Sequence, residues 1–189
     1  MITIERVSTA DLRPRVLGAL VDLWAEAYRE DLGRYFEDIG HGVHFIGRRG
    51  TDIVSHAMWV ERKLYPRGLP PLRSAYVELV ATRVAERGKR YATAVMERLA
   101  DEIRAFDLGA LSPAVPRFYE RLGWEMWRGP LFVRGGDMPP VPDADAASGA
   151  VRERETPDEF VMVLRTPKTP GDLDLNAPLA VDWRRGEVW

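Results

Sequence analysis

The residues best suited to chemistry form a short basic turn between a strand-like apolar run and a helix-like one. Arg87, Gly88, Lys89 and Arg90 follow the apolar run over residues 74–82. The first backbone N–H groups of a helix have no partner inside the helix, and with the helix dipole they bind anions. The basic side chains are unfavourable at that end unless an anion offsets them. The turn therefore predicts a phosphate or pyrophosphate site, although a solvated basic turn would show the same pattern.

The elements that position this turn follow from hydrophobic periodicity. The predicted strands are residues 2–4, 43–46, 53–60, 74–82, 108–111, 132–133 and 160–164. The predicted helices are residues 12–32, 90–106 and 116–122. A Gly-Arg-Arg-Gly run at residues 47–50 predicts a hairpin turn. This order indicates an α+β fold with a mixed sheet.

Length and composition predict one compact domain over residues 1–189. Apolar residues make up 46% of the chain, which is enough for a core, and the net charge of −2 suggests neither nucleic acid nor an anionic membrane as a partner. The chain has no cysteine, and His44 and His56 lie in strand-like runs that favour packing over metal binding. We therefore expect no metal. The start lacks a signal-peptide pattern and no apolar run is long enough to span a membrane, so we expect a cytoplasmic protein.

One segment departs from these patterns. Residues 135–155 are rich in Pro, Gly, Ala and Asp, and we predict that they form an exposed, mobile loop.

The basic turn resembles a known signature. Residues 87–92, Arg-Gly-Lys-Arg-Tyr-Ala, are similar to the Arg/Gln-x-x-Gly-x-Gly/Ala motif of the GNAT superfamily of acetyl-CoA-dependent N-acetyltransferases, although Arg90 replaces the usual central glycine. The resemblance implies a mixed, mostly antiparallel central sheet flanked by helices, and acetyl-CoA as cosubstrate. The coenzyme-binding residues that it implies are Val80, Thr82, Arg87, Gly88, Lys89, Arg90, Tyr91, Ala92 and Thr93.

Two later segments narrow the resemblance. Residues 109–124 are similar to the superfamily's late strand and helix, which end in a Tyr followed by Gly-Trp or Gly-Phe. Residues 182–189, Asp-Trp-Arg-Arg-Gly-Glu-Val-Trp, resemble the C-terminus of the aminoglycoside 2'-N-acetyltransferases, Asp-Trp-Arg-x-Gly-Asp-Val-Trp. Arg90 fits this subfamily, which carries Arg at the same position. We therefore expect the C-terminal tail, residues 172–189, to bind an aminoglycoside substrate.

The resemblance also implies catalytic roles. Amine acetylation needs a deprotonated amine and a proton for the departing thiolate. Glu78 matches a family glutamate that acts as base through water, and Tyr119 matches the general acid near the coenzyme sulfur. Val80 and Thr82 match positions whose backbone groups pair with the pantetheine arm, which requires a splayed strand edge. Glu78 as half of an ion pair and Tyr119 as a core aromatic are the structural alternatives.

An aminoglycoside is a polycation, so carboxylates are the expected substrate ligands. Glu187 and the α-carboxylate of Trp189 are implied by the tail, and Ser112 matches a family serine whose main chain meets the substrate. The remaining implied substrate residues are Tyr35, Glu37, Asp38, Glu78, Asp158 and Glu159. Tyr35 stands where the family has an aspartate, and residues 109–119 are two residues shorter than expected. These departures suggest a smaller aminoglycoside such as kasugamycin, whose acetylation would confer resistance.

Two other functions compete with this hypothesis. The chain could acetylate another small-molecule or peptide amine, or it could be a coenzyme-binding sensor without turnover. The resemblance further implies a homodimer, which no surface pattern in the sequence supports independently.

Overall fold

The computed structural model describes residues 2–135, 152–185 and 188–189. Within these residues all ten strands belong to one mixed, mostly antiparallel sheet, with four α-helices packed around it. The strands are β1 Thr3–Ser8, β2 Gly42–Arg49, β3 Asp52–Pro66, β4 Leu72–Thr82, β5 Leu108–Leu111, β6 Glu125–Met126, β7 Leu131–Arg134, β8 Glu153–Glu155, β9 Met162–Arg165 and β10 Leu179–Asp182. The predicted α+β fold is confirmed.

The terminal residues of the four α-helices explain some of the helix boundaries. They are α1 Pro14–Tyr28, α2 Gly33–Ile39, α3 Tyr91–Glu102 and α4 Pro116–Glu120. Proline begins α1 and α4, where its missing N–H costs no helical hydrogen bond. Arg29 ends α1 in the left-handed conformation, with a φ of 62°.

The sheet is organised around the long strand β3. The strand order is β6-β9-β5-β4-β3-β10-β7-β8, and β2 also pairs with β3 and carries β1 on its other edge. The first part of β3 pairs with β2 and its last part, Leu64 to Pro66, pairs with β10. In this way β3 connects the N-terminal hairpin to the C-terminal tail.

The hydrophobic core fills both faces of the sheet. Phe45 and its neighbour Ile46 point to opposite faces, as successive strand residues do. Ile46 packs in the cluster that contains Leu23 and Trp24 of α1, and Phe45 packs in the cluster that contains Leu99 of α3. Helices α1 and α3 therefore cover opposite faces.

Several boundaries differ from the sequence predictions. The structure adds α2, β6, β8 and β10, and it ends α1 at Tyr28. The hairpin turn lies at residues 50–51, because Gly47 belongs to β2 and marks a bulge there. Residues 153–155 of the predicted 135–155 loop form β8 against β7, while residues 136–151 lie outside the described residues.

Candidate active site

The sheet opens between β4 and β5, which leaves space beside β4. The two strands pair in parallel only as far as Tyr76 opposite Ala110. Beyond that pair β4 continues to Thr82 along β3, whereas β5 ends at Leu111. The described strands leave this edge of β4 open, which is the geometry that an extended ligand needs to add to a sheet.

A bulge in β4 lies at the opening. The register of β4 with β3 shifts there, and Leu79 takes a left-handed conformation with a φ of 53°. Its carbonyl oxygen lies 2.9 Å from Nδ1 of His56, and the carbonyl of the next residue, Val80, accepts a hydrogen bond of 2.9 Å from the Tyr28 hydroxyl. Side chains thus contact two carbonyls that regular strand pairing would have used.

A cavity of about 1220 Å³ occupies the opening. It extends from α1 and α2 across β4 to the segment after β5 and to α4. Among the residues that line it are Tyr28, Glu30, Asp31, Tyr35, Asp38, Glu78, Val80, Thr82, Arg87, Ala92, Ser112, Phe118, Tyr119, Arg185 and Trp189. A cavity of this size can hold a coenzyme arm and a second small molecule side by side.

Glu78 presents its carboxylate to this cavity from a largely buried position, with 7% of the residue exposed. The Tyr35 hydroxyl donates a hydrogen bond of 2.7 Å to Oε2. Nη2 of Arg184 donates one of 2.5 Å to Oε1 and forms an ion pair. Both oxygens therefore have partners, and the ion-pair alternative stated for Glu78 is present in the structure.

Tyr119 lies on α4 at the other side of the cavity. Its ring packs edge-on against Phe118 and Trp124, with centroid distances of 4.9 and 6.2 Å. Burial raises the pKa of Tyr119 to about 12. The phenol is therefore protonated at neutral pH, and it can donate a proton to a developing anion.

The basic turn leads into α3 as predicted. Gly88 and Arg90 have left-handed backbones with φ values of 78° and 62°. Arg90 occupies the N-cap of α3 without a side-chain cap, so the backbone N–H groups of the first turn remain available to a ligand. A Cβ at Gly88 would meet no atom within 4 Å, which leaves room for an anion to approach the backbone. Lys89 forms an ion pair with Glu86 at 2.9 Å.

The predicted coenzyme-binding residues form two groups, one inside the cavity lining and one outside it. Val80, Thr82, Arg87 and Ala92 line the cavity. Gly88, Lys89, Arg90, Tyr91 and Thr93 lie in the turn and first helical residues next to Arg87, outside the cavity lining. The open edge of β4 and the start of α3 therefore lie next to each other, since Arg87 and Ala92 lie in the same cavity wall as Val80 and Thr82.

Only some of the predicted substrate residues line the cavity. Tyr35, Asp38, Ser112 and Trp189 line the cavity with Glu78, whereas Glu37, Asp158 and Glu159 do not. Glu187 lies outside the described residues. Trp189 is 2% exposed, and its indole N–H donates a hydrogen bond of 2.9 Å to Thr156. The Trp189 side chain therefore packs the tail onto the body of the protein, and the residue also lies in the cavity wall, where a substrate would bind.

His44 and His56 are fully buried, and their rings are hydrogen-bonded to each other. Nδ1 of His44 lies 3.0 Å from Nε2 of His56, and the far nitrogen of His44 lies 3.0 Å from the Thr9 hydroxyl. The Trp24 indole N–H donates to Nδ1 of His56 at 3.1 Å. Burial lowers the pKa of His44 to about 4 and, together with the charge of His44, that of His56 to about 3. Both rings are neutral at pH 7, as packing histidines would be.

Two arginines near the site, Arg62 and Arg184, were not predicted from the sequence. Arg184 belongs to the tail motif, but the motif did not indicate that it pairs with Glu78. Arg62 lies in β3, beyond the predicted end of that strand, and its guanidinium donates to the backbone carbonyls of Asp182 and Val188 at 2.8 and 2.5 Å. Arg62 stands between Glu61 and Lys63 in a run of charged residues, so the sequence gives no signal that its side chain is partly buried.

In the described part of the chain, no group of His, Asp and Glu side chains is arranged to hold a metal ion. The helices of the same part are too short or too polar to cross a membrane.

Comparison with known proteins agrees with the architecture. Residues 14–127 match the family described as "Acetyltransferase (GNAT) domain". The chain is 35% identical over 193 residues to the aminoglycoside 2'-N-acetyltransferase of Mycolicibacterium fortuitum, covering 99% of this chain and 92% of that protein.

Solved structures share the fold at low sequence identity. The ribosomal-protein-S18-alanine N-acetyltransferase of Escherichia coli matches 92% of this chain and 99% of its own, with a TM-score of 0.56 and 16% identity. A probable N-acyltransferase from Enterococcus faecalis matches 72% of this chain with a TM-score of 0.56 and 16% identity. This chain spans only 40% of the length of that protein, so the likeness concerns one part of it.

Proposed function

The chain belongs to the GNAT acetyltransferase family, and on that premise we propose that it transfers an acetyl group from acetyl-CoA to an amine of an aminoglycoside. The observation that carries the proposal is the presence of Glu78 and Tyr119 in the wall of one cavity at the open edge of β4. A base for the amine and an acid for the thiolate are the two groups that the reaction requires.

The coenzyme has residues suited to each of its parts. The open edge of β4 at Val80 and Thr82 can pair with the amides of the pantetheine arm. The N–H groups at the start of α3 and the side chains of Arg87 and Arg90 suit the pyrophosphate. When bound, acetyl-CoA supplies an acetyl carbon for attack and a thiolate leaving group.

Residues of this chain would then carry out the proton transfers. We assign Glu78 to accept a proton from the substrate ammonium, directly or through one water, which frees the amine to form the N–C bond. As the C–S bond breaks, the Tyr119 hydroxyl donates its proton to the sulfur, and the second proton that the nitrogen loses on becoming an amide restores the Tyr119 hydroxyl. Because both groups would act with the two substrates bound together, the transfer is direct and needs no acetylated side chain.

The charge of the cavity supports a cationic substrate. Glu30, Asp31 and Asp38 line the side formed by α1 and α2, and Glu78 lies at its inner end. The basic residues of the lining are Arg34 and Arg185, together with Arg87 on the side proposed for the coenzyme. Carboxylates distributed in this way can pair with amines spaced along one molecule.

We further propose a small aminoglycoside of the kasugamycin type and a role in antibiotic resistance. Tyr35 stands where the family carries an aspartate, and its hydroxyl is bonded to Glu78. This arrangement offers one carboxylate fewer to the substrate than the family pattern. Acetylation of a different small-molecule amine is the second candidate, which the same substitution of Tyr35 favours.

A screen of thiol release tests the proposal. The purified protein is incubated with acetyl-CoA and each of a panel of aminoglycosides, kasugamycin and gentamicin-like compounds among them. We expect thiol release with at least one aminoglycoside and acetylation at the 2'-amine by mass spectrometry and NMR. If acetyl-CoA binds but no amine causes thiol release, the enzymatic function is contradicted and a coenzyme-binding sensor is indicated.

Glu78→Gln tests the proposed base. The amide keeps the size of the side chain but cannot take the proton, so we expect kcat to fall by about 10² or more. The dissociation constant for acetyl-CoA should stay within about two-fold, because the turn before α3 is unaffected. A variant with unchanged kcat would exclude Glu78 as base.

We also propose that the protein is a homodimer, as its resemblance to the aminoglycoside 2'-N-acetyltransferases implies. Light scattering coupled to size exclusion would give a mass near twice 21.4 kDa. A monomeric mass at micromolar concentration would contradict this.

A further inference from the structure

The proposed base is held by a cation from the protein's own tail. Arg184 is the ion-pair partner of Glu78, and the side chains of the two residues are only 14% and 8% exposed. The same guanidinium nitrogen lies 3.4 Å from the Tyr35 hydroxyl, which itself donates to Glu78. A substrate ammonium approaching Glu78 therefore meets a carboxylate that a guanidinium already neutralises.

A second buried cation lies next to this pair. The guanidinium carbons of Arg62 and Arg184 lie 4.9 and 5.8 Å from the centroid of the Tyr76 ring. Burial, and then the charge of Arg184, lowers the pKa of Arg62 to about 10. The two guanidinium groups thus repel each other, while Glu78 attracts Arg184. Removal of Arg184 from the cluster would relieve that repulsion.

The tail is fixed on both sides of Arg184. Arg62 donates to the carbonyls of Asp182 and Val188, and the Trp189 indole is bonded to Thr156. Arg184 lies between these attachment points, and its guanidinium is at the end of a long side chain. It can leave Glu78 by rotating that side chain, without release of the tail from the sheet.

We propose that Arg184 is a specificity-determining residue that occupies the position of the substrate ammonium on Glu78 and is exchanged for that ammonium when substrate binds. This inference rests on the proposed function of Glu78 and adds a condition on the substrate. Only an amine that arrives as a cation can replace the guanidinium as the partner of a largely buried carboxylate. Neutral amines and alcohols are excluded because they would leave Glu78 without a counter-charge.

Removal of the competing cation should tighten substrate binding. If Glu78 is paired with Arg184 in about nine of ten molecules, the apparent affinity for the amine is reduced about ten-fold. We therefore expect Arg184→Ala and Arg184→Gln to bind an aminoglycoside about ten-fold more tightly than wild type in calorimetry. Arg104→Gln, which removes an exposed arginine elsewhere on the surface, is the control for net charge and should leave the affinity unchanged. Equal or weaker binding by both folded Arg184 variants would overturn the proposal.

A small guanidinium compound provides the second measurement. Methylguanidinium should bind Arg184→Ala and return its aminoglycoside affinity towards the wild-type value. It should bind at least ten-fold more weakly to the double variant Arg184→Ala/Glu78→Gln, because its counter-charge is gone. Equal binding to the single and double variants would overturn the proposal.

The two measurements also separate this inference from the proposed function. If no aminoglycoside binds the wild-type protein, the proposed substrate is wrong, but methylguanidinium still reports whether Glu78 exchanges cations. Melting curves identify an unfolded variant, and Arg184→Gln keeps a polar but uncharged side chain should Arg184→Ala fail to fold.

Discussion

Tyr119 combines an apolar ring environment with one polar atom at the cavity. Phe118 and Trp124 fix the ring from its edges, and burial keeps the phenol protonated well beyond neutral pH. The residue is thus able to give a proton and unsuited to accept one. That asymmetry complements Glu78, whose carboxylate lies across the same cavity.

Tyr119→Phe should separate catalysis from packing. The variant keeps both ring contacts and loses only the hydroxyl, so we expect kcat for thiol release to fall by about 10² while the melting temperature stays nearly constant. Initial rates at saturating acetyl-CoA measure the change. Tyr65→Phe, which also removes a single phenol hydroxyl but lies outside the cavity lining, is the matched control. A kcat equal to wild type would show that another group protonates the thiolate.

Single residues were predictable where a motif sets their spacing. The turn at residues 87–90 was predicted from a local sequence pattern, whereas Glu78 and Tyr119 were implied by the resemblance to known acetyltransferases. The structure brings Glu78, Tyr119 and Arg87 to one cavity. The pairing of Glu78 with Arg184 was not predictable, because it joins residues 106 positions apart and depends on the path of the tail.

At the scale of elements, the bulge in β4 depends on the buried histidine pair behind it. His56 contacts the carbonyl of left-handed Leu79, and His44 of β2 connects His56 to Thr9, which directly follows β1. Helix α1 reaches the same point through Trp24. The position of the proposed base is therefore coupled to β2, β3 and α1 through two neutral rings.

This coupling predicts a loss of stability in mild acid. Both histidines have pKa values below the unfolded value of about 6.5, so the unfolded chain binds more protons than the native one as pH falls from about 6.5 towards 4. The free energy of unfolding should therefore decrease by up to about 1.4 kcal/mol per pH unit for each histidine.

Urea denaturation between pH 6.5 and 5.5 measures this slope, in a range where most carboxylates do not titrate. His44→Gln should flatten the curve because one buried titrating group is lost. His41→Gln is the control, since His41 is exposed, and it should leave the slope unchanged. A wild-type curve that is flat in this range would contradict neutral burial of the pair.

The missed elements are those with the weakest local signal. Helix α2 has seven residues, begins at a glycine and lacks a side-chain cap, so its sequence does not favour a helix. The helix nevertheless determines which of its side chains reach the cavity. Tyr35 and Asp38 are three residues apart and share the face that lines the cavity, whereas Glu37 is not part of the lining. Strand β10 is four residues in a Pro- and Asp-rich tail, and it forms because β3 and β7 flank it.

At the scale of the whole molecule, the C-terminal tail closes the sheet and completes the cavity. Strand β10 lies between β3 and β7, and the residues after it return across β4 to Glu78. The predicted single domain thus depends on its last residues for part of its core. Stability and substrate binding are therefore linked through the same segment.

Trp189 provides the test of that link. Trp189→Ala removes a large buried side chain and should lower the free energy of unfolding by about 3 to 5 kcal/mol. Trp189→Phe keeps most of the ring and loses the hydrogen bond to Thr156, which should cost about 1 kcal/mol. Thr156→Val removes the same bond from the other side, so the double variant should cost less than the sum of the two single changes.

The KM for the amine decides whether the tail also binds substrate. In Trp189→Phe the main chain and its terminal carboxylate remain in place, so KM should stay close to wild type. Deletion of Trp189 removes the α-carboxylate proposed as a substrate ligand, so KM for a polycationic substrate should rise by about ten-fold or more, with kcat affected less. Thr156→Val gives the effect of loosened packing alone. If the deletion changes stability as Trp189→Ala does but leaves KM at the wild-type value, Trp189 packs the tail and takes no part in recognition.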